Sequence, residues 1–569
     1  MRKTTNHQSA ADQTLRIKEM QQPMWPMVSL MALLAAPAAA SAGPAGTPTS
    51  PYTYEHHPVA TQVGDAQRAF DRGLTLVFAY QSVEAEQSFR QAARLDPTLA
   101  MAWWGIALAL GPNINTQPTI DGSHRAAEAI ARARSLLGEH GSAIEREYIE
   151  ALATRYSAAD HPDFDQQAIT YRDAMQALID RHPDDADAVA LYAEAAMDLR
   201  PWRLWTTDGK SEAGTEKLLT VLESGLRKQP DHIGLLHFYI HASEAGPDPG
   251  RALAVAHRLS GLPMEPAAAH LVHMPAHIYL RVGDWQAGVE ANHHAVHHAL
   301  DYRQSEQPSQ TRACGHCVEF LVYALSMQGN YALAHGAALD DQQLNHDPTS
   351  LLQVLARFGQ WDELLTFPEP APEKKPDGPD PHFLSGFWHY ARGLALAATA
   401  RPARAQEELA ALRAEQAKAP AHPEYVAGQL DLAHSTDKLE AGYQATILAI
   451  ASQVLEARLL AAGGDNAGAI AALRAAVDTQ DQGPYGEPPP WYFPLRESLG
   501  GMLLRTGAAA EAASVFAVCL ERTPHDARAL FGLAAAQRAL GLEAEAANTD
   551  QQFKTEWAHA DRSLSIADL

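Results

Sequence analysis

Small and large residues recur along this chain with a period of 34 positions, which commits it to an array of stacked, similar units, each too small to bury a core alone. Counting from residue 66, Gly73, Ala85, Phe89, Ala92 and Pro97 occupy positions 8, 20, 24, 27 and 32. In the next unit, from Ala100, Trp103 is at position 4 and Ala107 at position 8. Residues 493–526 place Leu499, Gly500, Ala512, Phe516 and Pro524 at positions 7, 8, 20, 24 and 32. Small residues at 8 and 20 let two helices approach closely, a large residue at 24 fills the gap to the next unit, and proline at 32 ends the second helix. Weaker copies fill the middle, marked by the turns Gly283-Asp284-Trp285, Gly329-Asn330-Tyr331 and Gly359-Gln360-Trp361, and two more begin near Gly386 and Ile450.

This spacing resembles the tetratricopeptide repeat (TPR) and implies an all-α, helix-turn-helix solenoid. Alanine-rich runs favour closely packed helices, and β-branched alternation is scarce. A composition of 46% hydrophobic and 20% charged residues argues against wholesale disorder. Departures from the repeat mark loops at 111–122 and 200–214, with further breaks at Gly483 to Pro490 and in the Pro-rich stretch Pro368 to Pro381. The expected organisation is a signal peptide at 1–42, a linker at 43–63, and an N-terminal TPR solenoid with a His-rich concave groove at 64–366. A Pro-rich linker at 367–381 then separates a second lobe of C-terminal repeats at 382–560, and 561–569 form a tail.

The N-terminus has the form of an export signal. Arg16 and Lys18 precede an apolar stretch from Met27 to Ala36, and Ala40-Ser41-Ala42 has the small-x-small pattern of a cleavage site. A periplasmic or secreted protein is expected, with no membrane span after cleavage. The formal net charge of −24 would repel a phosphate backbone, so no nucleic acid partner is expected.

Eleven of the 27 histidines fall between His232 and His298, and their spacing follows the repeat. His237 and His241 hold positions 5 and 9 of the unit starting at Ile233; His273 and His277 hold the same positions of the unit starting at Ala269, where His270 is at position 2. Positions 2, 5 and 9 of the next unit are His316, Glu319 and Tyr323, and the same count puts Glu194 at position 9 of a preceding unit. In TPR proteins these positions line the concave surface. Histidines four apart share a helix face and can chelate one ion, so His237, His241, His270, His273, His277 and His316 are the candidate metal ligands. Imidazole with carboxylate suits one divalent zinc, copper or iron ion, with Glu194 or Glu319 as candidate catalytic base. The alternative is a polar groove lining without metal. Trp202, Trp205, Tyr323 and Asn113 are the candidate ligand-binding residues, the two tryptophans as a lid or a plug between repeats.

Cys314-Gly315-His316-Cys317 carries the sequence of a thiol oxidoreductase motif, but it opens an ordinary repeat helix with no βαβ pattern around it, so Cys314 and Cys317 are candidates for a local disulfide or for joining the histidine site as ligands. Beyond the repeats, the chain resembles exported bacterial TPR proteins through the segments Ala102 to Asn113, Met197 to Trp202 and His270 to Tyr279. In that group the helix after Cys314 carries a His-Asn-x-His pattern, of which His316 alone is present here. Two functions are expected from these features. The first is an exported scaffold that binds a peptide or protein segment in its groove, with or without a metal. The second is a metal-dependent enzyme, hydrolytic or oxidative, in the same groove.

Overall fold

The computed structural model describes residues 50–138, 141–305, 315–370, 379–418, 435–483 and 485–569. The expected signal segment 1–42 and Cys314 lie outside them. The described residues are an all-α solenoid of TPR type: helices follow one another as antiparallel hairpins, and the described residues contain no strand beyond isolated bridges.

Local packing follows the spacing of the repeat. Phe89, fully buried on Ser82–Leu95, presses its ring onto Gly73 of the preceding helix and Gly105 of the following one, so closely that a Cβ at either glycine would overlap the ring. Phe516 makes the same wedge against Gly500 and Gly532 near the C-terminus. Gly283, Gly329 and Gly359 of the three central turns have φ of 79°, 73° and 64°, the left-handed conformation that ends a helix and turns the chain into the next.

Two large clusters of buried side chains form the interior, one running from Val59 to Tyr279 and the other from Ala276 to Leu569. They meet at the helix Pro275–Val282, which gives Ile278 and Tyr279 to the first and Ala276 and Leu280 to the second. Residues 371–378 of the Pro-rich stretch lie outside the described residues, and Thr349–Arg357 and Pro381–Ala398 on its two sides pack together. The stretch Tyr443–Ala462 of the helix Ser435–Ala462 is long and apolar enough to cross a membrane, and 44% of its apolar window is buried in the solenoid.

The middle of the solenoid meets its C-terminal end. Gly283 sits against the Pro524 carbonyl, and Trp285 Nε1 donates to His525 O at 3.2 Å. Arg357 pairs with Glu497 at 3.1 Å, and the Asp561 carboxylate accepts from the Tyr331 and Ala332 amides at 2.9 and 2.8 Å. The N-terminal strap crosses the first repeats: Thr53 N donates to Pro263 O at 2.8 Å, and His57 and His232 grip Asp187 from two sides at 2.7 and 3.0 Å. These long-range contacts carry the C-terminal loops over helices from the middle of the chain.

If the Phe89 wedge sets the spacing of the first repeats, Gly105→Val should lower the free energy of unfolding by about 1–3 kcal/mol, the usual cost of overpacking a filled core. Urea denaturation followed by circular dichroism reads this, and an unchanged midpoint would show that the wedge is not a packing constraint.

Candidate metal centre

Four helices frame the site: α1 (Ile233–Glu244), α2 (Ala269–His273), α3 (Pro275–Val282) and α4 (Gly315–Met327). Pro275 breaks the hydrogen bonding between α2 and α3, yet Met274 keeps helical φ and ψ of −51° and −37°. His273 and His277 therefore remain one turn apart on one face. The six candidate histidines come together as two adjacent triads. His237, His241 and His270 form the first and His273, His277 and His316 the second, with one nitrogen per ring lying within 4.8 Å of the others in its triad. The rings of His241 and His277 link the two, with centroids 5.7 Å apart.

Burial distinguishes this arrangement from an open groove. His237, His241, His273 and His277 are all buried, His270 is half-buried, and only His316 is exposed, beside Glu319 at 3.6 Å. Burial, reinforced by neighbouring imidazoles, holds His237, His270 and His273 well below the usual imidazole range. It brings His277 down to about 4 despite the opposing pull of Glu244. Burial and mutual proximity thus disfavour the charged form of these four rings.

The neighbours decide where a ring proton sits. His237 Nδ1 is 2.6 Å from the Phe78 carbonyl, and a carbonyl can only accept. His273 Nδ1 is 2.6 Å from Asn292 Oδ1, whose orientation is fixed because Asn292 Nδ2 donates to Gly288 O at 2.7 Å. His241 Nδ1 is 3.0 Å from Glu244 Oε1, and His277 Nδ1 is 2.8 Å from Glu244 Oε2 and also touches the Glu487 carboxylate. The Phe78 carbonyl and Asn292 Oδ1 can only accept, so His237 and His273 carry hydrogen on Nδ1 and turn Nε2 lone pairs toward their triads. His273 Nε2 and His277 Nε2 face each other at 2.8 Å, and buried His241 Nε2 has no partner at all. Orientation of the ring through Nδ1–H to an oxygen, with Nε2 left bare, is how proteins prepare histidine to bind a metal.

Glu244 and Glu487 were not among the residues singled out by the repeat register. Glu244 follows His241 by three positions on α1, a spacing visible in the sequence. Glu487 arrives on the loop Tyr485 to Pro490, more than 200 residues beyond α3. Burial and the charge of Glu244 push Glu487 well above the carboxylate range; Glu244 is buried too, but the adjoining His241 and His277 hold it down to about 2. Tyr80, also unanticipated, packs edge-on to His237 at 4.8 Å and parallel to His241 at 5.9 Å.

The remaining sequence candidates fall around this centre. Trp202 meets His241 edge-on at 5.5 Å, whereas Trp205 is tied into the adjacent loop by Nε1 donating to Ala242 O at 2.9 Å. Tyr323 is buried against Trp285 and Tyr492 rather than among the imidazoles. Asn113 closes a turn with Thr116 and lines a different cavity with Pro112, Arg155 and Asp198. Glu194 is buried beside Asp198 and Arg155, which pair with each other. Cys317 is buried and disulfide-bonded, which removes it from the candidate ligands; Cys519 is free and buried.

No family model matches the chain, and no curated protein matches it. Among solved structures, the human IFIT1 dimer with m7Gppp-AAAA is 13% identical over 86% of this chain and 91% of its own length, with a TM-score of 0.31. The structure of Naa15/Naa10 bound to HypK-THB is 12% identical over 86% of this chain and 76% of its own, with a TM-score of 0.25. Likenesses this weak carry no argument about what the chain binds.

Glu194 yields a prediction independent of any metal. Burial, then the charge of Asp198, raise its carboxyl from 4.5 to about 8. Between those values the folded chain keeps a proton that the unfolded chain has released, so Glu194 costs progressively more stability as pH rises. Glu194→Gln removes that cost. Thermal unfolding at pH 5, 6, 7 and 8 should show the variant gaining on the parent as pH increases, whereas a constant difference would place Glu194 in contact with solvent.

Proposed function

We propose that the protein is a metal-dependent enzyme whose solenoid encloses two transition-metal ions, one per histidine triad. The observation that carries this reading is the convergence of six imidazoles into two triads with one nitrogen per ring within 4.8 Å of the others, the Nε2 atoms of His273 and His277 facing each other at 2.8 Å. Ring nitrogens gathered this closely can each give a lone pair to one shared cation. The unpartnered Nε2 of His241 can do the same in the first triad. Neutral imidazoles suit copper, zinc or iron.

Each triad leaves room in the usual coordination number for a water or substrate, which is the feature that separates catalytic from structural sites. A bound ion of this kind supplies Lewis-acid or redox chemistry. The chain's own residues do the rest. Phe78 O, Asn292 and Glu244 orient the rings, while Tyr80 and Phe320 pack against them, Phe320 with its centroid 4.6 Å from His273. Glu487 brings a second carboxyl group against His277, placed to exchange a proton with it. Burial of the imidazoles favours a small substrate over a peptide laid along the solenoid. Export belongs to the same reading and is supported by the disulfide at Cys317, since such bonds persist in oxidising compartments.

Elemental analysis of protein purified without a histidine tag tests the proposal. The parent should carry about two transition-metal ions per chain. His273→Ala with His277→Ala should lose the ion of the second triad, and His237→Ala with His241→Ala that of the first, each variant keeping its helical circular dichroism. A parent with background metal after incubation with zinc, copper or iron salts overturns the proposal, as does a double variant that folds and keeps its full complement.

A further inference from the structure

A cavity of about 200 Å³ opens beside the second triad, with His277, Glu487 and Phe320 along one side. Leu280, Ile450, Trp491 and the prolines 488–490 give it apolar walls. Its charged lining is uneven. Arg522 is balanced by Asp481 at 3.1 Å. Arg281 has no such direct pair: among the described residues no carboxylate lies within ion-pair distance of it, and Glu244 acts on it only from farther off. Its hydrogen bond runs from Nη2 to the Gly246 carbonyl at 3.1 Å, its Nε is sealed from water with no partner, and its guanidinium lies 5.5 Å from the Tyr485 ring centroid. Three other deeply placed guanidinium groups in this chain meet acids: Arg155 with Asp198, Arg357 and Arg528 with Glu497.

We infer that Arg281 is the binding residue for an anionic group, and that the cavity accepts a small aromatic carboxylate whose ring lies against Phe320 and Trp491 beside the second triad. The inference rests on the metal-centre reading for what happens next to the ligand, but the anion subsite stands on Arg281 and the cavity alone. A largely desolvated charge without a direct ion-pair partner is costly, and burial pulls the Arg281 guanidinium below its ordinary value despite Glu244. A carboxylate matches the planar fork of a guanidinium and would complete the missing pair. Cavities of about 150 Å³ hold a benzene ring, so this one has space for a ring with a carboxyl attached. The apolar walls supply affinity for the ring, and the arginine selects the charged end.

Calorimetric titration with benzoate, and with benzamide as its neutral counterpart, provides the test. It is run on the parent, Arg281→Met and Arg281→Lys, each with metal bound and after chelation. Benzoate should bind the parent in both states, benzamide at least tenfold more weakly, and Arg281→Met should weaken benzoate at least tenfold while Arg281→Lys retains part of the affinity. Circular dichroism establishes that each variant folds, and the lysine variant keeps the test decisive if the methionine variant does not. Benzoate binding that survives Arg281→Met but vanishes on chelation would assign the carboxylate to the metal, overturning this inference while leaving the metal centre standing. Equal binding of benzamide, or no benzoate binding by the parent, overturns it as well.

Discussion

The wedge of a large aromatic side chain against glycines of the helices on either side is the contact on which the rest of this structure depends. Phe89 between Gly73 and Gly105, and Phe516 between Gly500 and Gly532, fix how closely successive helices stack. Stacking at constant spacing keeps equivalent positions of successive first helices in line. That alignment brings His237 and His241 on α1 beside His273 and His277 on the next such helix, although neither pair is near the other in sequence. The superhelix then returns its C-terminal end to the middle, through Gly283 against Pro524 and Arg357 against Glu497, and the loop carrying Glu487 is laid across the imidazoles. Repeat packing thereby creates an enclosed site where a shorter array would leave an open trough.

The centre lies at the seam between the two buried clusters, on the helix that both share. Ile278 and Tyr279 anchor α3 in one core and Ala276 and Leu280 in the other, so the position of His277 is set from both sides. Rigid placement of this kind is what a metal centre requires, because ligand atoms must converge before the ion arrives. The oxygens behind the rings come from four separate places: a carbonyl at the end of a helix in the first repeat, an amide on a neighbouring helix, a carboxylate on α1 and another on a distant loop. Such convergence of acceptors on Nδ1 atoms has no role in a merely polar surface, where water would serve as well.

Much of this was legible in the sequence because it is periodic. The 34-residue spacing gives the fold class, and the i, i+4 histidine pairs give shared helix faces whatever the tertiary arrangement. Register alone does not reveal depth, which is why the sequence suggests a groove lined by histidine where the structure buries four of the six rings. Nor does it divide the ligands, so one ion is expected where the geometry forms two triads. Position 9 carries His241 and His277 into the centre, but Glu194 at the same position is separated with Asp198 and Arg155, and Tyr323 turns toward Trp285 and Tyr492. Glu487 gives no local signal, since only closure of the superhelix brings its loop to α3. Asn292 is hidden for another reason: it precedes the conspicuous run His293-His294, yet it is the residue that turns inward and orients His273.

The central claim is that the imidazole nitrogens of two adjacent triads bind transition-metal ions inside this solenoid. X-ray absorption spectroscopy at the metal edge of the purified protein tests it most directly. The account predicts a first shell of nitrogen or oxygen at about 2.0–2.1 Å, with the outer-shell scattering of several imidazoles per ion and no sulfur. A first shell containing sulfur, one made of oxygen without imidazole scattering, or a spectrum unchanged when His273 and His277 are both replaced by alanine would contradict it.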